Sequence, residues 1–176
     1  MHRRVIYLFP TELEAAPFRV VRPDAEVVIS GVGMAATSAA IASLYSSDAT
    51  LGEARLLLAG LAGSYGEGCR RGEVVEVCSE VCSELPERFR REYHNACCTS
   101  LRRVRSNTVH RGSESLGSDI ENMEGAALFA AAESLGLRVA EIRAISNRVG
   151  EPFAEWRVEE ALEALAEVLS NIEKEL

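Results

Sequence analysis

With 176 residues, 47% hydrophobic and 26% charged, the chain is sized for one domain with a sizeable core, read here as a single unit over residues 1–176. Its net charge of −8 and pI of about 5.0, with no basic stripe, argue against a nucleic-acid surface. No stretch is apolar for long enough to span a membrane, and the opening MHRRVIYLFPTELE has too short an apolar run for a signal segment.

Five cysteines stand at 69, 78, 82, 97 and 98. An odd number without a signal segment fits a reducing, cytoplasmic setting. Their spacing lacks paired C-x-x-C units, so no metal is expected.

In chain order, Arg4 to Phe9 reads as a first strand, ended by Pro10. Thr11-Glu12-Leu13-Glu14 then matches a capping box opening a helix, which is one sufficient reason for Glu14 to be there. Ala25 to Ser30 reads as a second strand. It enters Gly31-Val32-Gly33-Met34-Ala35-Ala36, a match to the G-x-G-x-x-A dinucleotide fingerprint at the start of an alanine-rich helix. The next strand ends in Ala59-Gly60 and not in the acidic residue that such a site uses for ribose, so NAD is kept only as a rival. The run Leu56 to Gly63 reads as a buried strand passing into a glycine turn, where the backbone approaches a neighbour closely.

Val74 to Val77 reads as a strand, and residues 85–100 as a charged stretch able to form a short surface helix. Val104 to His110 reads as a strand with Val109 and His110 at its end. Asn122 suits a helix N-cap, Ala126 to Ala132 a buried helix, and Leu135-Gly136 its end, with glycine at C′. Val139 to Ile145 follows as a strand, and Ser146-Asn147 is placed just beyond its carboxyl end, where open α/β sheets bind ligands. Residues 152–173 carry apolar positions at helical spacing, with Trp156 at the start. Alternating strands and helices predict an α/β fold with a mostly parallel or mixed sheet.

Asn122-Met123-Glu124-Gly125-Ala126, followed downstream by Arg143-Ala144-Ile145-Ser146-Asn147, resembles the nucleoside phosphorylase and nucleosidase superfamily. Within it, the combination is most similar to the futalosine hydrolases. Relatives that cleave methylthioadenosine carry M-E-A and R-A-I-S-D, with aspartate where this chain has Asn147. The resemblance implies a three-layer fold, a central mixed β-sheet flanked by helices.

It also implies roles. Glu124 would bind ribose hydroxyls and Met123 would pack on the sugar, beside Asn122. Glu14, with Glu12 as rival, would activate water. Asn147 would meet the base. Gly31 and Gly33, and Gly60 and Ala62, would line the site, and Val109 and His110 would reach the purine. No cofactor or metal is implied; a small-molecule nucleoside is the expected ligand, and a homo-oligomer the expected assembly.

The chemistry supports this choice of residues. Cleaving a purine N-riboside requires holding the hydroxyls of an oxocarbenium-like sugar, stabilising the leaving base and deprotonating a water. An asparagine offers one amide donor and one carbonyl acceptor. That pair suits a 6-oxopurine, the NH2 donating to O6 and the carbonyl accepting from N7-H. Leu61, where relatives often carry serine or threonine, removes a hydroxyl from a phosphate cradle and favours water as nucleophile. The expected reaction is release of hypoxanthine from futalosine, leaving dehypoxanthine futalosine, in menaquinone biosynthesis. The alternatives are a nucleosidase for inosine, methylthioadenosine or aminofutalosine, and a non-catalytic nucleoside-binding module. The segment from Val77 to Val104 is short for the family.

Overall fold

The computed structural model describes residues 4–111, 115–172 and 174–175. Eight strands and four α-helices occur among them: β1 (Val5–Phe9), α1 (Glu12–Val21), β2 (Glu26–Ile29), α2 (Met34–Ser47), β3 (Arg55–Ser64), β4 (Val74–Val81), β5 (Glu92–His94), β6 (Arg102–Thr108), β7 (Ile120–Asn122), α3 (Gly125–Leu135), β8 (Arg138–Arg148) and α4 (Val158–Ile172).

The sheet is mixed. β1 pairs in parallel with both β2 and β3. β3 also pairs in parallel with β8 and antiparallel with β7. β8 pairs antiparallel with β4, β4 in parallel with β6, and β6 in parallel with β7. These pairings run from β3 through β8, β4, β6 and β7 back to β3, a closed circuit from which β1 and β2 extend on one side and β5 on the other. Closure removes free edges from the centre of the sheet.

Two apolar layers cover it. Ile41 of α2 and Leu128 and Phe129 of α3 pack on Ile6, Leu8, Leu56, Leu58, Val75, Val77, Val139 and Ile145. Ala15 and Phe18 of α1, with Ala161, Leu162, Leu165 and Leu169 of α4, pack on Tyr7, Phe9, Leu57, Ala59, Ile142 and Ala144. The alternation of neighbouring residues between the two layers is the period of a strand covered on both faces. The result is the expected three-layer α/β arrangement.

Two bulges interrupt the alternation. On β4 the register against β6 slips between Val77 and Ser79. On β8 it slips against β3 so that Ala62 faces Ile145 and Gly63 faces Asn147, with Ser146 as the extra residue. A one-residue slip exchanges the two faces for every residue beyond it.

Several local readings need correction. The segment from Gly60 to Gly63 is not a turn but part of β3, and Ser146-Asn147 lies within β8 and not beyond it. Both strands outrun their apolar cores because each supplies hydrogen bonds for the other. Residues 85–100 form no α-helix; they hold a single 3-10 turn at Glu87–Phe89 and the short β5. Pairing with β4, an interaction distant in sequence, overrides the local helix pattern there. β7 was not foreseen at all. The C-terminal helix starts at Val158, after a separate 3-10 turn at Phe153–Glu155. Position 173, the last residue of that reading, lies outside the described residues.

Candidate active site

The site is organised by Arg143, which sits fully buried on β8. Its Nη1 lies 3.2 Å from Glu124 Oε2, its Nε donates to Glu141 Oε1 at 2.8 Å, and its Nη2 donates to Asn122 Oδ1 at 3.0 Å. Nη1 also reaches the Leu61 carbonyl at 3.4 Å. Burial pulls the guanidinium pKa down, but the charges of Glu141 and Glu124 more than reverse this and leave it above its ordinary value. Sequence reasoning passed over Arg143, Glu141 and Glu80. The available signal was two charged residues inside the otherwise apolar run Val139-Ala140-Glu141-Ile142-Arg143-Ala144-Ile145. Such residues are seldom buried unless paired.

Glu124 is the N-cap residue of α3, buried at 3% exposure. Its Oε1 accepts from the Gly33 N–H at 3.0 Å, so one carboxylate ties α3 to the first turn of α2. Gly33 has φ +89° and Gly31 φ +81°, values that favour glycine, and a Cβ at Gly31 would lie 2.7 Å from Ala36 Cβ. The amide that the dinucleotide fingerprint would turn toward a phosphate is thus taken by Glu124.

Glu14 approaches from α1. Thr11 is the N-cap, as expected, its hydroxyl accepting from Glu14 N at 3.2 Å. The same hydroxyl donates to Glu14 Oε2 at 2.8 Å, while Glu14 Oε1 accepts from Leu61 N at 3.0 Å. The carboxylate is therefore turned onto β3. Glu12, one residue before Leu13, is exposed and lies 3.7 Å from Arg19. Glu14 alone of the two faces the buried cluster.

Gly60 makes the meeting possible. A Cβ there would lie 2.9 Å from both Glu14 Oε1 and Arg143 Nη1. Glu14 and Arg143 thus meet at a β3 position without a side chain, and the same Arg143 Nη1 carries Glu124. Ala62 and Gly63 continue the strand toward Asn147, whose Nδ2 would lie 3.2 Å from a Cβ on Gly63. Asn147 accepts from Ser146 Oγ at 2.8 Å and donates to the Arg148 carbonyl at 3.0 Å. Its carbonyl and its amide each keep one further position. Nearby, Tyr65 donates to Glu121 Oε2 at 2.7 Å and accepts from Asn107 Nδ2 at 3.1 Å.

The remaining expected residues divide. Met123 is half-buried between Asn122 and Glu124. Val109 is buried, and its N–H donates to the Asn122 carbonyl at 2.8 Å. The Asn122 side chain is consumed by the protein: Oδ1 accepts from Glu124 N, Gly125 N and Arg143, and Nδ2 donates to Glu80 and Ser106. It is not the N-cap residue, which is Glu124, but from the end of β7 its carbonyl accepts from the amides that open α3; it has no position left for a ligand, which corrects its reading as a substrate contact. His110 lies outside the buried cluster, exposed, with Nδ1 2.6 Å from Glu84 Oε2. Open clefts of about 430 and 510 Å³ lie elsewhere, between β5 and α3 and beside the turn at 67–73. Among the described residues no cluster of histidine, cysteine or carboxylate side chains has the arrangement of a metal site, and no helix is long and apolar enough to cross a membrane.

The model of the phosphorylase superfamily matches residues 75–175, more than half of the chain. The chain belongs to this superfamily. Its resemblance to a curated relative is local: 49% identity over 57 residues to futalosine hydrolase of Thermus thermophilus, which is 32% of this chain and 25% of that protein. This chain therefore aligns with about a quarter of that relative's length. Among solved structures, a futalosine hydrolase mutant of Helicobacter pylori superposes with a TM-score of 0.83 at 13% identity, covering 99% of this chain and 100% of that one. The 5′-methylthioadenosine/S-adenosylhomocysteine nucleosidase of Helicobacter pylori with butyl-thio-DADMe-Immucillin-A gives 0.83 at 13% over 100% of both chains. The 5′-methylthioadenosine nucleosidase of Arabidopsis thaliana gives 0.78 at 18% over 96% and 93%. At such identities these superpositions establish the shared superfamily fold.

Proposed function

We propose that this member of the phosphorylase superfamily is an N-glycosyl hydrolase acting on a purine nucleoside, with futalosine as substrate and hypoxanthine as released base. The carrying observation is that Arg143, which meets Glu14 across Gly60, also pairs with Glu124. One carboxylate to hold the ribose hydroxyls and one to take a proton from water are what attack at an oxocarbenium-like C1′ requires, and Arg143 holds Glu124 in place for it. Glu124, held by Gly33 N–H and Arg143, takes the ribose hydroxyls. Glu14, fixed by Leu61 N–H and Thr11, accepts the proton of the attacking water. A carboxylate at the Leu61 amide also repels phosphate, which favours hydrolysis over phosphorolysis. Asn147 reads the base, donating to O6 and accepting from N7-H through its two free positions.

The choice of futalosine is supported by the local identity to the Thermus thermophilus enzyme. Adenine nucleosides form the second reading, supported by the equally good superposition on methylthioadenosine nucleosidases. We further propose a homo-oligomer, supported by apolar residues exposed on α1 and beside the Gly31–Gly33 turn, Leu13, Val20 and Val32. A cytoplasmic location, and the place in menaquinone synthesis, follow from the same reading.

The test is chromatographic detection of free purine from futalosine, inosine and methylthioadenosine, each with and without phosphate. Hypoxanthine from futalosine alone, independent of phosphate, is the expected result. Adenine release would overturn the base reading, and phosphate dependence the hydrolytic one. No release from any tube would favour a binding module.

A further inference from the structure

Beneath Arg143 lies a second pair of carboxyl groups that the proposed reaction does not use. Glu80 comes from β4 and Glu141 from β8, and both are fully buried. They meet at Gly125, the first residue of α3. A Cβ there would lie 2.1 Å from Glu80 Oε1 and 2.6 Å from Glu141 Oε2. Both carboxyls therefore share the space of one missing methyl group.

Their partners differ. Glu141 Oε1 accepts from Arg143 Nε at 2.8 Å, while Glu141 Oε2 is buried without a hydrogen-bond partner among the described residues. Glu80 faces neutral groups: Thr108 Oγ1 donates to Oε2 at 2.7 Å, and Asn122 Nδ2 to Oε1 at 2.5 Å. The Thr108 hydroxyl in turn accepts from Ala126 N at 2.8 Å. The charged groups around the pair are Arg143 on β8 and Glu124 at the start of α3, with Glu14 of α1 acting on Arg143 from beyond. The side chains of β6 and β7 that bond to Glu80 are neutral, Ser106, Thr108 and Asn122. Two buried like charges in contact cannot both stay ionised. An orphaned buried carboxylate oxygen also requires a donor.

We propose that Glu80 and Glu141 hold one proton between them, carried by Glu80 and donated to Glu141 Oε2, and that this pair is a positioning device for Arg143 and Glu124. Burial first, and the neighbouring Glu141 second, raise the Glu80 pKa well above its ordinary value, in keeping with the geometry. Glu141 remains the carboxylate that anchors Arg143 Nε. Glu80, kept neutral, anchors the Asn122 amide, whose carbonyl receives Arg143 Nη2 and the first amides of α3. Ionisation of Glu80 would set two carboxylates against each other under the ribose-binding glutamate.

The role in catalysis rests on the nucleosidase reading, but the proton does not, and the test separates them. Infrared spectra of the folded wild-type protein at neutral pH are compared with those of Glu80→Gln, reading the C=O stretch of a protonated carboxylic acid and its shift in D2O. Exposed carboxyls are ionised at that pH and do not contribute. A band present in the wild type and absent from Glu80→Gln is expected. No band in the folded wild type, or a band that survives Glu80→Gln, overturns the proposal. Hypoxanthine release supplies the second arm. Glu80→Ala is expected to lower kcat at least tenfold, with a smaller change in KM, and Glu80→Gln, a neutral donor of the same shape, to restore most of it. Equal losses in the two variants overturn the positioning role. A wild-type band with no turnover of any nucleoside refutes the function and leaves the proton pair standing.

Discussion

Glu76 and Glu80 stand on the same strand, both fully buried, and lead opposite lives. Glu76 receives Cys98 N at 2.9 Å, Thr99 N at 3.0 Å and Thr99 Oγ1 at 2.6 Å. It is a carboxylate that ties down the loop entering β6. Its neighbours Cys97 and Cys98 are held as thiols: burial first, then the charge of Glu76, pushes them up to about 12 and about 11. Glu80 instead confronts Glu141. The bulge between Val77 and Ser79 accounts for the difference. Without it, two residues four apart on a strand would share a face. With it, Glu76 points toward the side of α1 and α4, and Glu80 toward α3 and the site. One inserted residue thus turns a loop anchor into a component of the candidate active site.

The sharpest way to break this contrast is Gly125→Ala. A methyl group would enter the space held by both carboxyls, and a loss of about 3 kcal/mol is expected in urea unfolding, the upper end for overpacking. On helix propensity alone the change should stabilise the protein. The penalty should shrink in a Glu80→Ala background, a coupling that a double-mutant cycle measures. An unchanged midpoint would mean that the carboxyls do not converge on Gly125.

Next in size is the pair Glu76→Gln and Glu80→Gln. The first sets an amide NH2 against donors that a carboxylate accepts, and is expected to cost about 2 kcal/mol. The second replaces a neutral donor by a neutral donor, and its urea midpoint should stay near wild type at acid pH, where the unfolded chain also holds the Glu80 proton. Equal costs would erase the distinction between the two glutamates.

The smallest effect, taken per pH unit, is in pH dependence. The unfolded chain releases the Glu80 proton near 4.5, whereas the folded protein keeps it to a much higher pH. Below 4.5 both states hold it and this group does not disfavour folding. As pH rises from 4.5 toward the folded pKa, the unfolded state ionises first. Stability should therefore fall by up to about 1.4 kcal/mol per pH unit from this group. Glu80→Gln should remove that slope, read as the wild-type minus variant difference in urea midpoints across pH. A difference that stays flat over this range would mean that Glu80 is already ionised in the folded protein.

Much of the molecule was legible before folding. The order of strands and helices, β5 and β7 apart, followed from runs of apolar residues and from the turn residues between them. Glu124 and Asn147 could be read because they sit in short motifs, and Thr11 because a helix N-cap is a local event. Glu14 was ambiguous for the same reason: its spacing from Thr11 accounts for it fully as a capping residue. Only Leu61 N and Arg143, brought up across Gly60, give it another use.

The sequence by itself determined the fold class, the two-faced burial of the strands, and the residue types available for chemistry, because periodicity and turn preference act over a few neighbouring residues. Tertiary structure alone decided which of those residues meet. The closed circuit of β3, β8, β4, β6 and β7, the slips at Val77/Ser79 and at Ser146, and the burial of Arg143 among Glu124, Glu141 and Asn122 all depend on strand pairing across long separations. A bulge leaves no periodic trace. A buried charge looks misplaced in sequence until the partner that neutralises it is brought beside it.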